Sequence, residues 1–240
     1  MGITTILFDL DGTLLPMDLD IFVNTYMKGL AKAVMPAGYE PNAFIKAVIA
    51  GTYAMVENDG HGTNEEVFWE TMENIYGSKA KEDMHIYDAF YRTDFQKVRD
   101  VCGYEPKVKD LIKKLQQKKY RVVLATNPLF PAIATESRIR WAGLEPGDFE
   151  IYTTYEDYHY CKPNLNYFKE LLENLQAAPE ECLMVGNDVQ EDMVAGQLGM
   201  KVFLLTDCLI NKDDADISVY PHGNYEELDA FIDGLRDIRE

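Results

Sequence analysis

Asp9-Leu10-Asp11-Gly12-Thr13 sets two carboxylates two residues apart at the end of a short apolar run, Ile3 to Asp9. In an extended backbone such residues point to the same side, so Asp9 and Asp11 can address one reacting centre. Moving a phosphoryl group onto a side chain needs an oxygen nucleophile, a cation to mask its repulsion from the phosphate, and a proton donor for the leaving oxygen. Asp9 suits the first role, because a carboxylate can form an aspartyl phosphate and later release it to water. Asp11 suits the third, protonating the leaving group and then activating the water; a neighbouring carboxylate would raise its pKa and keep it protonated for the first task. Gly12 and Thr13 permit a tight turn, and backbone N–H groups there are expected to cradle phosphate oxygens. Taken alone, the run could also be an Asx-type turn after a buried strand.

Such residues need a strand to deliver them and a sheet to gather their partners. Ile3 to Asp9 is apolar and β-branched, the pattern of a buried strand arriving at a turn. From Asp18 to about Val101 the spacing is helical throughout, with stripes through Phe22, Tyr26 and Leu30, through Phe44, Ile45, Val48 and Ile49, and through Val67, Phe68, Met72 and Ile75. The third has Thr63 and Glu66 as a capping box and Gly77 as its stop, and Ile86 to Val101 predicts a fourth, aromatic-rich helix. After Tyr104-Glu105-Pro106 the pattern alternates. Helices are expected over 107–119, 132–142 and 165–175 and one ending at Gly199, with strands over 121–125, 149–153, 182–185 and 201–205. Ile217 to Val219 suggests a last short strand, and Asn224 with Glu227 opens a C-terminal helix. Alternation of this kind means a parallel sheet: the expected class is α/β, a doubly wound Rossmann-like core over 1–17 and 102–240 with a second, all-helical domain over 18–101.

In a doubly wound sheet the ligand lies outside the carboxyl ends of the strands. There the chain offers Thr126 and Asn127, then Lys162, then Asn187, Asp188 and Asp192. Thr126 and Asn127 carry a hydroxyl and an amide that can donate to a bound phosphate. Lys162, in Cys161-Lys162-Pro163, adds a fixed positive charge. Asn187, Asp188 and Asp192 supply the hard oxygen ligands that Mg²⁺ takes. Each set alone has a plainer use as a turn, a proline-set helix entry or an N-cap, but four suitable sets after four consecutive strands are hard to assign to chance.

Composition narrows the partners. With 41 acids against 23 bases the formal charge is −18, a field that repels nucleic acid and anionic membrane, so an anionic small substrate must find local positive charge. Cys102, Cys161, Cys182 and Cys208 form no CxxC pair and read as reduced thiols. With no signal-peptide pattern and no apolar run of membrane length, a cytoplasmic protein is expected.

Taken together, Asp9-Leu10-Asp11-Gly12-Thr13, Thr126-Asn127, Lys162-Pro163 and Val185-Gly186-Asn187-Asp188 with Asp192 resemble the motifs of the haloacid dehalogenase superfamily. The branch resembled is the phosphatase-like one with a helical cap inserted after the first strand, and the resemblance spans essentially the whole chain. It implies an aspartyl phosphate on Asp9, Asp11 as acid and base, and Thr126 and Lys162 on the phosphate. It also implies Mg²⁺ held by Asp9, the Asp11 backbone carbonyl and the acids after the fourth strand. Dehalogenase members characteristically lack an acid at the place of Asp11, so phosphate is favoured over halide. The family usually has Asp directly after the glycine, where this chain has Asn187. Either the Asn187 amide oxygen or Asp188 would then face the metal, with Asp192 acting through water or orienting a ligand.

The helical segment would close over the site and its inward face would choose the substrate, with Leu14-Leu15-Pro16-Met17 as hinge or flap. Trp69, Tyr53, Tyr91 and His61 are candidate contacts, although aromatic residues at helical spacing usually fill a core and His61 sits in a loop. The expected activity is Mg²⁺-dependent hydrolysis of a small phosphorylated metabolite, such as a sugar phosphate, a nucleoside monophosphate or a phosphoglycolate-like acid. The same residues would serve a phosphomutase on a sugar phosphate, and Asn187 in place of a carboxylate admits a non-catalytic phosphate-binding protein. Oligomeric state leaves no mark in the sequence.

Overall fold

Five strands, β1 (Thr5–Phe8), β2 (Arg121–Leu124), β3 (Cys182–Gly186), β4 (Lys201–Leu205) and β5 (His222–Gly223), pair in parallel in the order β2-β1-β3-β4-β5. The computed structural model describes residues 2–236 and 238. Helices are α1 (Leu19–Val34), α2 (Pro41–Val56), α3 (Asn64–Tyr76), α4 (Lys79–Glu82), α5 (Met84–Arg92), α6 (Lys107–Gln117), α7 (Ala132–Trp141), α8 (Leu165–Leu175) and α9 (Tyr225–Asp233).

The continuous apolar runs of the strands follow from burial on both faces. Ile6, Phe8, Leu183 and Val185 enter one core, against α6, α7 and α9 through Leu111, Ile139 and Leu228. Leu7, Val123 and Met184 enter the other, where Phe168 and Leu171 of α8 meet them. β1 lies between β2 and β3, with Phe8 level with both Leu124 and Val185. The chain winds to one side of β1 and then crosses to the other, which opens a crevice at the β1 carboxyl end.

The stretch between β1 and α6 is helical among the described residues, held by an aromatic cluster in which Tyr26 and Phe95 meet edge to face at 6.0 Å. Its two crossings to the sheet lie side by side. Met17 bridges Cys102 antiparallel, and the Gly103 amide donates to the Pro16 carbonyl at 2.6 Å. The capping box of Thr63 and Glu66 forms as expected, and the next two amides, of Asn64 and Glu65, donate to the carbonyls of Tyr158 and Tyr155 at 2.8 Å each.

Four elements differ from the sequence expectation. Residues 149–153 are not a regular strand, yet they run parallel along the outer edge of β2: Tyr152 bridges Leu124, the Glu150 and Thr153 amides donate to the carbonyls of Val122 and Leu124, and the Leu124 amide donates to that of Ile151. Ile217–Val219 is a 3₁₀ turn, and the last strand is instead His222–Gly223. The helix expected over 86–101 breaks at Thr93, whose hydroxyl turns back to the Ala89 carbonyl at 2.7 Å, and continues as a 3₁₀ segment, Asp94–Val101. The segment before Gly199 is likewise 3₁₀, Met193–Leu198.

Candidate active site

Asp9 follows the last residue of β1, and its amide donates to the Val185 carbonyl at 2.9 Å, which fixes it in the crevice beside β3. The chain turns at once. The Gly12 amide donates to the Leu15 carbonyl and the Thr13 amide to that of Leu10, so both are engaged within the turn and do not form the expected phosphate cradle. Among the described residues no acceptor meets the amides of Leu10 and Asp11. Gly12 is needed for shape: its φ is +86°, and a Cβ there would stand 2.3 Å from Asn187 Nδ2. The buried Thr13 hydroxyl donates to Asn187 Oδ1 at 2.9 Å and lies 3.3 Å from Asp9 Oδ2, tying the first strand end to the third.

Lys162 reaches the same point from the loop before α8. Only 1% exposed, its Nζ lies 3.0 Å from Asp9 Oδ1 and 2.6 Å from Asp192 Oδ1. Burial opposes the ammonium charge, but Asp192 and Asp9 outweigh it and hold Lys162 well above its ordinary value. Asn127 buckles this loop. Its Oδ1 accepts the Lys162 amide at 3.2 Å, and its Nδ2 donates to the Lys162 carbonyl at 3.4 Å and to Glu191 Oε2 at 3.0 Å. That amide is committed to protein neighbours, not open to a phosphate as the sequence suggested. Thr126 is buried against the same pocket, its carbonyl held by the Thr153 and Tyr167 hydroxyls.

Beyond β3, Gly186 leaves the space that Asp192 fills: a Cβ there would stand 2.1 Å from Asp192 Oδ2. That oxygen accepts the Asp188 amide at 3.0 Å, so with Lys162 both Asp192 oxygens are engaged. Asn187 is engaged at both ends as well, Oδ1 by Thr13 and Nδ2 by the Cys208 carbonyl at 2.7 Å. A carboxylate would turn an oxygen on that carbonyl, which gives the amide at this position a physical reason. Asp188 Oδ1 caps the next turn through the amides of Gln190 and Glu191, while its Oδ2 takes no bond among the described residues.

Asp9, Asp11, Asp188 and Asp192 therefore line one pocket of about 170 Å³ together with Thr126, Asn127 and Asn187. No three His, Cys, Asp or Glu side chains converge as a metal cluster among the described residues. The donor set facing the pocket is smaller, Asp9 with the Oδ2 of Asp188. Two carboxylates completed by carbonyl, water and substrate oxygens match the way Mg²⁺ is bound, so the residues present fit that ion.

Sequence reasoning missed two residues. Arg138, on α7, is fully buried, forms an ion pair with Asp11 Oδ2, and lies 4.3 Å from the centre of the Phe130 ring. Asp11 Oδ1 is buried and has no partner. Burial pushes the Asp11 carboxyl up to about 6, Arg138 pulls it back, and Asp9 adds to the rise. Glu191, the other omission, lines the pocket beside Asn127, and burial raises its pKa. Of the candidate substrate contacts, Trp69 and Tyr91 are buried, whereas Tyr53 and His61 are exposed.

Residues 3–199 match the sequence model of the haloacid dehalogenase-like hydrolase family. The chain belongs to this family. Among curated proteins, the hydrolase is 27% identical over 197 residues to the pyrophosphatase PpaX of Bacillus cereus strain G9842, covering 82% of this chain and 80% of that protein. PpaX of Anoxybacillus flavithermus matches to the same extent. Two solved structures carry the same fold: a HAD phosphatase from Thermococcus onnurineus, with a TM-score of 0.60 at 16% identity over 99% of this chain and 100% of the other, and the HAD-hydrolase YfnB of Bacillus subtilis in a magnesium-bound form, with a TM-score of 0.58 at 22% identity over 97% and 100%. The expected class, a hydrolase of this family on a parallel α/β sheet, therefore stands. No helix among the described residues is long and apolar enough to cross a membrane.

Proposed function

We propose that this hydrolase is a Mg²⁺-dependent phosphatase that works through an aspartyl phosphate on Asp9. The observation that carries the reading is the convergence of Asp9, Asp11 and Asp188 from the ends of β1 and β3 with Lys162 from the loop before α8, with burial raising the Asp11 carboxyl to about 6. In the first half-reaction an Asp9 oxygen attacks phosphorus, the phosphorus–oxygen bond to the alcohol breaks, and Asp11 gives its proton to the departing oxygen. In the second, Asp11 takes a proton from water, the water oxygen attacks phosphorus, and the bond to Asp9 breaks to release inorganic phosphate. Lys162 neutralises one Asp9 oxygen throughout, which lets the dianionic phosphate approach. The amides of Leu10 and Asp11 replace those of Gly12 and Thr13 as donors to the phosphate oxygens. Mg²⁺, when bound, would mask the remaining charge between nucleophile and phosphate. Asp9, Asp188 and the Asp11 carbonyl would hold it, with Asp192 orienting Lys162 and Asn187 orienting Thr13. Residues 18–101 act in this scheme as a cap domain that excludes water during the first half-reaction.

The test is Mg²⁺-dependent release of phosphate from an aryl phosphate by the wild type and by Asp9→Asn. The wild type should release it, and the variant should fall by at least about a thousandfold, as for loss of a covalent nucleophile. Equal rates in the two proteins would remove Asp9 from the mechanism. Transfer to a second position of the substrate with no free phosphate would identify a mutase instead.

A further inference from the structure

Beside the carboxylate pocket, the helical segment and the α7 end of the core enclose a second and larger cavity of about 470 Å³. Its wall is aromatic, with Tyr26, Phe68, Trp69, Tyr87, Tyr91 and Phe130. Val23, Leu129 and Phe130 line both cavities, so a group held in the larger one abuts the space in front of Asp9. The polar groups in it are few. The Tyr87 hydroxyl is buried and has no partner, and the Tyr26 and Tyr91 hydroxyls pair with each other at 2.9 Å, which leaves one of their two hydrogens over. The charged residues are Glu65, Asp88 and Glu156 against a single Arg92. Glu65 and Glu156 repel each other, and the Glu156 carboxylate faces the first amide of α7, that of Ala132, at 2.9 and 3.1 Å.

A wall of this kind rewards flat apolar surface and offers two or three hydrogen bonds to fix its orientation. Asp88 and Arg92 are both exposed and offset each other, which leaves the half-buried Glu65 and Glu156 to repel an anion and to tolerate, or attract, a cation lying over the rings. We propose that this cavity receives the organic part of the substrate, and that the substrate is the phosphate monoester of an uncharged or cationic alcohol bearing an aromatic ring. This rests on the phosphatase reading above and departs from the activity for which the Bacillus relatives are named. Pyrophosphate would put a second phosphate, and a phosphoglycolate-like ester a carboxylate, where the chain presents rings and acids.

The experiment compares 2-phenylethyl phosphate with 2-phosphoglycolate and pyrophosphate by phosphate release in Mg²⁺. The first two are both esters of alkyl alcohols, so a difference between them does not come from an activated aryl leaving group. The phenylethyl ester should be preferred by about tenfold or more in kcat/KM, the scale that an apolar pocket delivers. Thr52→Phe, which fills the cavity from α2, should raise its KM about tenfold. Calorimetric titration of the same three compounds into Asp9→Asn reads the cavity without turnover. Equal or better turnover of pyrophosphate or phosphoglycolate overturns the cavity assignment and leaves the phosphatase reading intact. Binding of the phenylethyl ester to Asp9→Asn with no hydrolysis of any ester by the wild type supports the cavity and overturns the phosphatase reading. Neither binding nor turnover of the ring compound overturns the assignment of the cavity.

Discussion

Arg138→Met takes a fully buried guanidinium away from Asp11 and leaves a side chain of similar length in its place. The Asp11 carboxylate then loses its direct partner and keeps only the more distant charge of Lys162, and its Oδ1 already lacks a partner. Breaking one side of a buried ion pair costs about 3–5 kcal/mol, because the remaining charge is stranded. The stranded group can escape by taking up a proton, and this makes the cost depend on pH. With Arg138 present the Asp11 carboxyl sits at about 6; without it, burial and Asp9 drive it higher. At pH 8 the variant should therefore lose about 3–5 kcal/mol, roughly 10 °C in melting temperature for a chain of this size. At pH 5, where Asp11 is neutral in both proteins, most of that loss should vanish. The assay is urea denaturation of the metal-free protein at both pH values for wild type, Arg138→Met, Asp11→Asn and the double variant. If the Arg138→Met penalty is the same at pH 5 and pH 8, or if the two single penalties simply add, the ion pair is not what holds Arg138 in the core.

Three further outcomes follow from the same geometry. Asp11 has a folded-state pKa raised from 3.8 to about 6, so its contribution to stability is full below pH 4 and disappears as the pH climbs through 6. In metal-free protein, the wild type should lose up to about 3 kcal/mol relative to Asp11→Asn across that window, and parallel pH curves for the two would contradict it. Lys162→Met leaves Asp9 and Asp192 facing each other without their shared cation, so unfolding free energy should drop by about 3–5 kcal/mol and phosphate release should fall below detection. Restored release in Lys162→Arg would show that charge alone is enough. Thr13→Val keeps the shape of the turn but removes the donor between Asn187 and Asp9, and thermal melts should show about 1–3 kcal/mol lost.

Much of the fold is legible in the residues because its signals are local. Asn64–Tyr76 begins and ends where Thr63, Glu66 and Gly77 say it should, and Leu165–Leu175 follows its apolar spacing to the residue. Three of the strand ends were legible because burial on both faces makes β1, β2 and β3 apolar up to their last residues, after which polar types appear, whereas Lys162 stands in the loop before α8, beyond a stretch that forms no regular strand. Arg138 was not, for a reason visible in α7. That helix buries Thr135, Ser137 and Arg138 alongside Ile139 and Trp141, so no apolar stripe marks an inner face and the arginine looks like a surface residue. His222–Gly223 has no strand composition and is a strand only because Leu204 and Leu205 lie beside it. The engaged amides of Gly12 and Thr13, and the buckle made by Asn127, depend on where chain segments far apart in sequence come to rest.

The two crossings between sheet and helices bear on how such a protein could change. Pro16 and Gly103 are joined by a backbone bond, and Met17 pairs with Cys102, so the chain leaves and re-enters the sheet at one point. Residues 18–101 are thus a segment whose ends already touch. Exchanging it for another, longer or shorter, asks almost nothing of the sheet in loop-closure entropy, since the ends need not be brought any closer. Selection could then reshape the aromatic cavity within residues 18–101 while Asp9, Lys162 and Asp192 stay as they are, but the segment cannot be exchanged freely, because Phe22, Tyr26 and Phe95 pack on Phe130 and Trp141 of the core.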